Sequence, residues 1–218
     1  MCKPMTKKCI RCSKDELKTT FKNLAHTIPQ SLGGKNICDN VCDACNSFFG
    51  KRTSTLPAVE MVFKETFAAA RYRFLSLEDP SKSTKQQSRY KSVYFDIKNN
   101  RFKLKSQYKF NHSFQTKVCR QLKKGIFKVY LEEIERQRGQ GHDGQYNFIR
   151  EFCKYDLGDY PVIYFERMHP IFPMTQSWVE NPVFILDPEY KFKYLIEELG
   201  FFEFELLGHT FGIPTTHQ

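Results

Sequence analysis

Two stretches of the chain repeat apolar residues at helical spacing. Over 56–77, Val59, Val62, Phe63, Phe67, Ala70 and Phe74 fall on one face, which predicts an amphipathic helix. Over 114–138, Phe114, Val118, Leu122, Ile126, Tyr130 and Ile134 repeat the pattern and stop at Gly139. Between them the period changes. Tyr90–Ile97 and Phe102–Tyr108 alternate apolar with basic residues around Asn99-Asn100, which predicts a hairpin. The Gly-rich segment 139–144 reads as a mobile surface loop, followed by a short helix to about Tyr155. Strands at 161–168 and 178–186, a helix at 188–199 and a final strand pair from 201 to 213 complete a mixed α+β pattern.

Residues 1–52 do not share this periodicity. They are punctuated by Cys, Gly and Asn, and so small a unit cannot bury enough surface alone, so a metal staple is expected. The polar run Glu78–Ser88, with Pro80 to stop the preceding helix, is the best domain boundary. The expected organisation is a first domain over 1–55, a connecting helix over 56–80 and an α+β domain over 81–218.

Composition narrows the class. With 40% hydrophobic and 27% charged residues in 218, the chain is globular rather than disordered. No apolar run approaches the ~18 residues of a membrane span. Met1–Lys8 is basic with no apolar run behind it, so no secretory leader is expected, and the 8 cysteines point to a reducing, cytoplasmic setting. There, paired cysteines hold metal more often than they form disulfides.

Charge is polarised. The formal net charge is +10, but residues 81–128 carry 14 Lys and Arg against the single acid Asp96, whereas 129–218 carry 7 against 15 Asp and Glu. A long polyanion, nucleic acid, is the partner such a field would concentrate. A solvated lysine-rich face is the alternative. Tyr90, Tyr94, Tyr108 and Phe110, interleaved with Lys91, Arg101, Lys103, Lys105 and Lys109, would stack bases and neutralise phosphates, or else form an ordinary hairpin with a basic outer face.

Cys9-Ile10-Arg11-Cys12 and Cys42-Asp43-Ala44-Cys45 are two C-x-x-C knuckles with 29 residues between them. Each turn brings two sulfurs to one ion, and two turns complete a tetrahedral zinc shell. The gap exceeds the usual 15–20 residues, so something is inserted. Cys38 is near enough to be an alternative ligand; Cys2, Cys119 and Cys153 lack such pairing. A four-thiolate site is closed and cannot run chemistry, so if the chain is an enzyme a second site must lie in the insert.

The insert reads Ala25-His26-Thr27-Ile28-Pro29-Gln30-Ser31-Leu32-Gly33-Gly34, then Asn40-Val41-Cys42-Asp43-Ala44-Cys45-Asn46-Ser47-Phe48-Phe49-Gly50-Lys51. This combination resembles the HNH endonucleases, in particular a subgroup with a His-x-Ile-Pro-x-x-Leu-Gly-Gly turn and a Cys-x-x-Cys-Asn helix start. The resemblance covers roughly residues 9–52. It implies a ββα-metal unit, a β-hairpin and a helix gripping one divalent ion, here stapled by zinc. It further implies His26 as general base and Asn46 as ligand of the catalytic Mg²⁺ or another divalent ion. For the central Asn that shapes the loop, Asn40 is the choice and Asn36 the fallback. Many members carry Asp, Glu or His just before the base as a metal ligand. This chain has Ala25, which cannot coordinate, so Asn46 is the ligand that carries over.

The residue chemistry agrees. A neutral imidazole suits proton abstraction from water near neutral pH. A hard cation beside it polarises a phosphate, and the helix start after Cys45 favours an anion. Lys51 and Arg52, one to two turns further on, would contact the nucleic-acid backbone. Asp39 and Asp43 are nearby carboxylates that would join the shell or simply cap a turn. The expectation is a metal-dependent HNH endonuclease acting on nucleic acid, double-stranded DNA before RNA on family grounds. The alternative is a zinc-dependent nucleic-acid-binding protein without cleavage activity.

Overall fold

In a computed structural model, the described residues are 6–32, 34–67, 92–98, 101–165, 183–184, 201–206 and 209–214. They form an α+β structure in two compact units, one made by residues 1–49 with 126–218 and the other by 50–125.

The first unit begins with a knuckle. Lys8 pairs with Asp15, Ser13 N donates to Cys9 O (2.8 Å), and Ser13 takes a positive φ of 57° to close the turn. A short antiparallel pair follows, centred on His26 opposite Ile37, with Thr27 N donating to Asn36 O (3.0 Å) and Cys38 N to Ala25 O (2.9 Å). The chain then enters helix α1 (Asp43–Gly50), whose buried Cys45 and Phe49 face inward. An isolated antiparallel bridge thus precedes α1 within 25–50.

The second unit holds a helix, α2, described over residues 59–67, with Val59, Val62, Phe63 and Phe67 buried as the apolar spacing requires. Strands β1 (Phe95–Lys98) and β2 (Arg101–Leu104) pair antiparallel as the predicted hairpin, with Lys98 opposite Arg101 and Asp96 opposite Lys103. Helix α3 (His112–Arg138) gives its first part to this unit and residues from Ile126 onward to the first. Helix α4 (Asn147–Tyr155) buries Phe148, Ile149, Phe152 and Cys153. Strands β3 (Ile163–Phe165), β4 (Val183–Phe184), β5 (Phe201–Leu206) and β6 (His209–Pro214) form an antiparallel sheet in the order β3-β6-β5-β4.

The first unit joins the N-terminal residues to those from Ile126 onward, and α3 is the physical reason. From Lys124 to Ile134 every residue is buried, so this stretch is interior on all sides. It supplies Phe127, Tyr130, Leu131 and Ile134 to the core of the unit that also contains Ile10, Ile28 and Phe49. The loop after it is pinned rather than mobile. Gly139 takes a φ of 67°, ending the helix in the left-handed conformation glycine adopts without strain. Gly141 N donates to Glu135 Oε2 (2.8 Å), and the Arg150 guanidinium donates to the carbonyls of Gly141 and Asp143. The expected helix at 188–199, the second half of 56–77, and Tyr90 and Lys91 lie outside the described residues. Among the described residues no helix is long and apolar enough to cross a membrane.

Candidate functional site

The two knuckles converge. The sulfurs of Cys9, Cys12, Cys42 and Cys45 all lie within 4.8 Å of one another, and Cys12 Sγ stands 3.7 Å from Cys42 Sγ. Four sulfurs each ~2.3 Å from a central zinc are separated by roughly 3.8 Å, so this donor set fits that ion in both chemistry and spacing. Among these crowded thiols, the contact with Cys45 holds the Cys9 thiol below its ordinary value, and the same contact raises Cys45. A bound cation favours the thiolate at all four positions. Cys38 stays outside the group, and burial pushes its thiol up to about 12, so it is held neutral. Among the described residues no other trio of His, Cys, Asp or Glu ligand atoms gathers at such distances.

His26 is half-buried on the antiparallel pair between two inward residues, Ala25 and Thr27, which are 1% and 0% exposed. The intervening turn is closed by Pro29 O, which accepts from Leu32 N (2.8 Å) and Gly34 N (3.4 Å). A Cβ on Gly34 would stand 2.8 Å from the Ile28 carbonyl carbon, so only glycine fits this close backbone approach. Gly33 lies outside the described residues.

Asn46 sits in the first turn of α1, with Nδ2 donating to Leu24 O (3.3 Å), two residues before His26. That bond uses the amide nitrogen and leaves Oδ1 as an oxygen donor for a cation. Asp43 is committed elsewhere. Its carboxylate accepts from Thr20 Oγ1, from Lys22 N (3.2 Å) and from Asn23 N (2.7 Å), and the Thr20 hydroxyl and these amides hold it below the ordinary carboxylate range. It therefore caps and ties the 20–23 loop. Asn40 Nδ2 donates to Glu135, and Asn40 O accepts from Ile10 N (2.8 Å), linking the loop to the first knuckle. Asn36 donates to Glu133 Oε1 (3.1 Å) beside Ile37, the residue opposite His26.

The basic residues sort into two groups. Lys51, Arg52, Arg101, Lys103 and Lys109 are exposed, and α1 ends at Gly50, so Lys51 and Arg52 follow the helix rather than extend it. Arg101 and Lys103, with Lys98 and Asp96, line an open hollow on one face of the hairpin. Lys105 differs. Its Nζ donates to Ser92 O (2.6 Å) and it is half-buried. Tyr94 is no stacking platform: it is 7% exposed and packs edge-on against Tyr108 (4.9 Å) and Phe114 (5.3 Å). Phe110 remains exposed.

Sequence reasoning missed a layer of charged residues packed against the antiparallel pair that carries His26. Arg11, inside the first knuckle, is buried, lies over the Phe49 ring (4.4 Å) and pairs with Glu132 (2.9 Å). Lys128 also pairs with Glu132 (2.9 Å), and Glu133 accepts from Thr27 Oγ1 (2.7 Å). Arg150 donates to Ile10 O (2.7 Å). The one available signal was Lys128 and Glu132, spaced i,i+4 inside the apolar run Ile126–Ile134.

No curated protein and no solved structure matches the chain. Residues 9–57, which hold both knuckles, the His26 pair and α1, match the family model described as HNH endonuclease, and the match supports the HNH family for this segment.

Proposed function

We propose that the protein is a metal-dependent endonuclease of the HNH type. The observation that carries the reading is His26 on an antiparallel pair leading into α1, within the segment that matches the HNH model. In this reading residues 1–55 are a zinc-stapled ββα-metal nuclease domain, with the buried half of α3 as part of its fold. Cys9, Cys12, Cys42 and Cys45 hold a structural zinc. Asn46 Oδ1 binds the catalytic divalent ion, which when bound would supply charge stabilisation at the scissile phosphate. His26 takes the proton from the attacking water. Asn40, through Glu135 and the Ile10 amide, keeps the loop in shape.

Nucleic acid, double-stranded DNA by preference, is the proposed substrate. The exposed Lys51, Arg52, Lys98, Arg101, Lys103 and Lys109 would neutralise phosphates. Support comes from the register of the hairpin, where Lys98 faces Arg101 directly: like charges opposed across a pair are unfavourable until an anion intervenes. Lys91 belongs to the same basic segment of the sequence. A second reading, zinc-dependent binding without cleavage, is favoured by one observation. Ala25 occupies the family's ligand position and is buried, and Asp43 is consumed by the 20–23 loop. Purified protein incubated with supercoiled plasmid and Mg²⁺ or Mn²⁺, with a chelator control, separates the two: metal-dependent nicking supports the nuclease, and binding without nicking supports the module.

A further inference from the structure

The buried half of α3 holds charged side chains where apolar ones would pack at lower cost, and their contacts run to the backbone that carries His26. Lys128 Nζ donates to His26 O (2.8 Å) and to Thr27 O (3.2 Å) while only 2% exposed. Glu132 does not require this lysine for charge balance, since Arg11 already makes a two-nitrogen pair with its Oε1. One helical position on, Glu133 accepts from Thr27 Oγ1 (2.7 Å) and Asn36 Nδ2 (3.1 Å), one from each side of the antiparallel pair. Glu133 is in turn held by Arg136 (2.8 Å) and Gln137 (3.0 Å). A buried ammonium without ample acceptors is costly, and replacing a buried ion pair by apolar residues is often neutral or stabilising. The arrangement is therefore better explained by the geometry it imposes than by stability.

We infer that Lys128 and Glu133 are positioning residues for His26: together they clamp the carbonyls of 26 and 27 and both sides of the hairpin, fixing the direction in which the imidazole is presented. This rests on the reading of His26 as general base. Holding a reacting group in place is worth much of an enzyme's rate, and a displacement of about 1 Å can cost ~10²-fold. Neither residue touches substrate in this account, so each acts only through the hairpin.

The test uses Lys128→Met, Lys128→Arg and Glu133→Gln in the full chain, each checked for zinc content. Two quantities are read in each: kcat and KM for plasmid cleavage, and the ring ¹H–¹³C NMR signal of His26, assigned by its loss in His26→Ala. In Lys128→Met the clamp predicts kcat lower by about 10–100-fold with KM little changed, and a displaced His26 signal with the other histidine signals unmoved. Arg keeps a buried cation beside Glu132 but replaces a compact ammonium with a longer, rigid planar fork, so its loss should be intermediate. If Lys128→Met fails to hold zinc, Lys128→Arg and Glu133→Gln read the same two quantities. An unmoved His26 signal and unchanged kcat in a zinc-loaded variant would overturn the inference. Undiminished cleavage by His26→Ala would instead overturn the nuclease reading, while the NMR signal still reports on the clamp.

Discussion

At the scale of single residues, burial decides what a charge is for. Glu133 has a side chain with 0% exposure and accepts from both sides of the antiparallel pair that carries His26. Burial pushes its carboxyl up, but donation from Arg136, Thr27, Gln137 and Asn36 outweighs that and holds it below the ordinary range. A carboxyl whose folded value is lowered stabilises the fold fully above the unfolded value of ~4.3, and loses that contribution as pH falls through the folded value. Glu133→Gln is therefore expected to cost about 1–3 kcal/mol at neutral pH, with the difference from the parent shrinking in acid. Urea unfolding of both proteins, compared at pH 7 and at the lowest pH where both keep their zinc, measures it, and a difference that grew toward low pH would contradict this role for Glu133. Ala25 teaches the same lesson. Its 1% exposure means that an aspartate there would enter the core rather than a metal shell, so Ala25→Asp is expected to destabilise.

At the scale of elements, periodicity was readable wherever one face of an element meets solvent. Helix α3, the hairpin β1–β2 and helix α4 all follow from apolar spacing and turn residues. The second half of α3 is where the pattern misleads. Apolar spacing marks one face through Ile126, Tyr130 and Ile134, and it does not say that another segment also covers Lys128, Glu132 and Glu133. The same blindness made 139–144 look mobile: the acceptors and donors that pin it come from Glu135 and Arg150, which local pattern does not connect. The knuckles were legible because C-x-x-C spacing is a local geometric constraint. For so small an element the metal's binding energy is folding energy. About one zinc per chain is expected in protein purified without added metal. Chelation, or Cys42→Ser, should remove hydrogen-exchange protection from the amides of Ile10, Thr27 and Cys38, all bonded within this unit. Protection that survived complete metal removal would count against the zinc staple.

At the scale of the whole molecule, the charge profile assigns different work to different segments. The basic stretch 81–128 is followed by an acidic one, and among its described residues the exposed Lys98, Arg101 and Lys103 share a hairpin face while Lys105 is taken up internally. If that face tracks a phosphate backbone, DNA affinity falls steeply with salt. Replacing Lys98, Arg101 and Lys103 together by alanine should flatten the log–log slope by about 2–3, roughly one per lost contact. An unchanged slope would make the face a solvated one. Replacing Lys105 should leave the slope alone and loosen the hairpin.

In the proposed mechanism His26 accepts the proton in phosphodiester hydrolysis, and His26→Ala removes that acceptor. The side chain is no ligand of the four-cysteine centre, and the hairpin bonds next to it are made by backbone groups, so zinc content and DNA affinity should hold. Metal-dependent plasmid nicking is expected to fall by about 10²–10⁴-fold, the usual contribution of a general base. Nicking by zinc-loaded His26→Ala at the parent's rate would contradict the HNH mechanism for this protein.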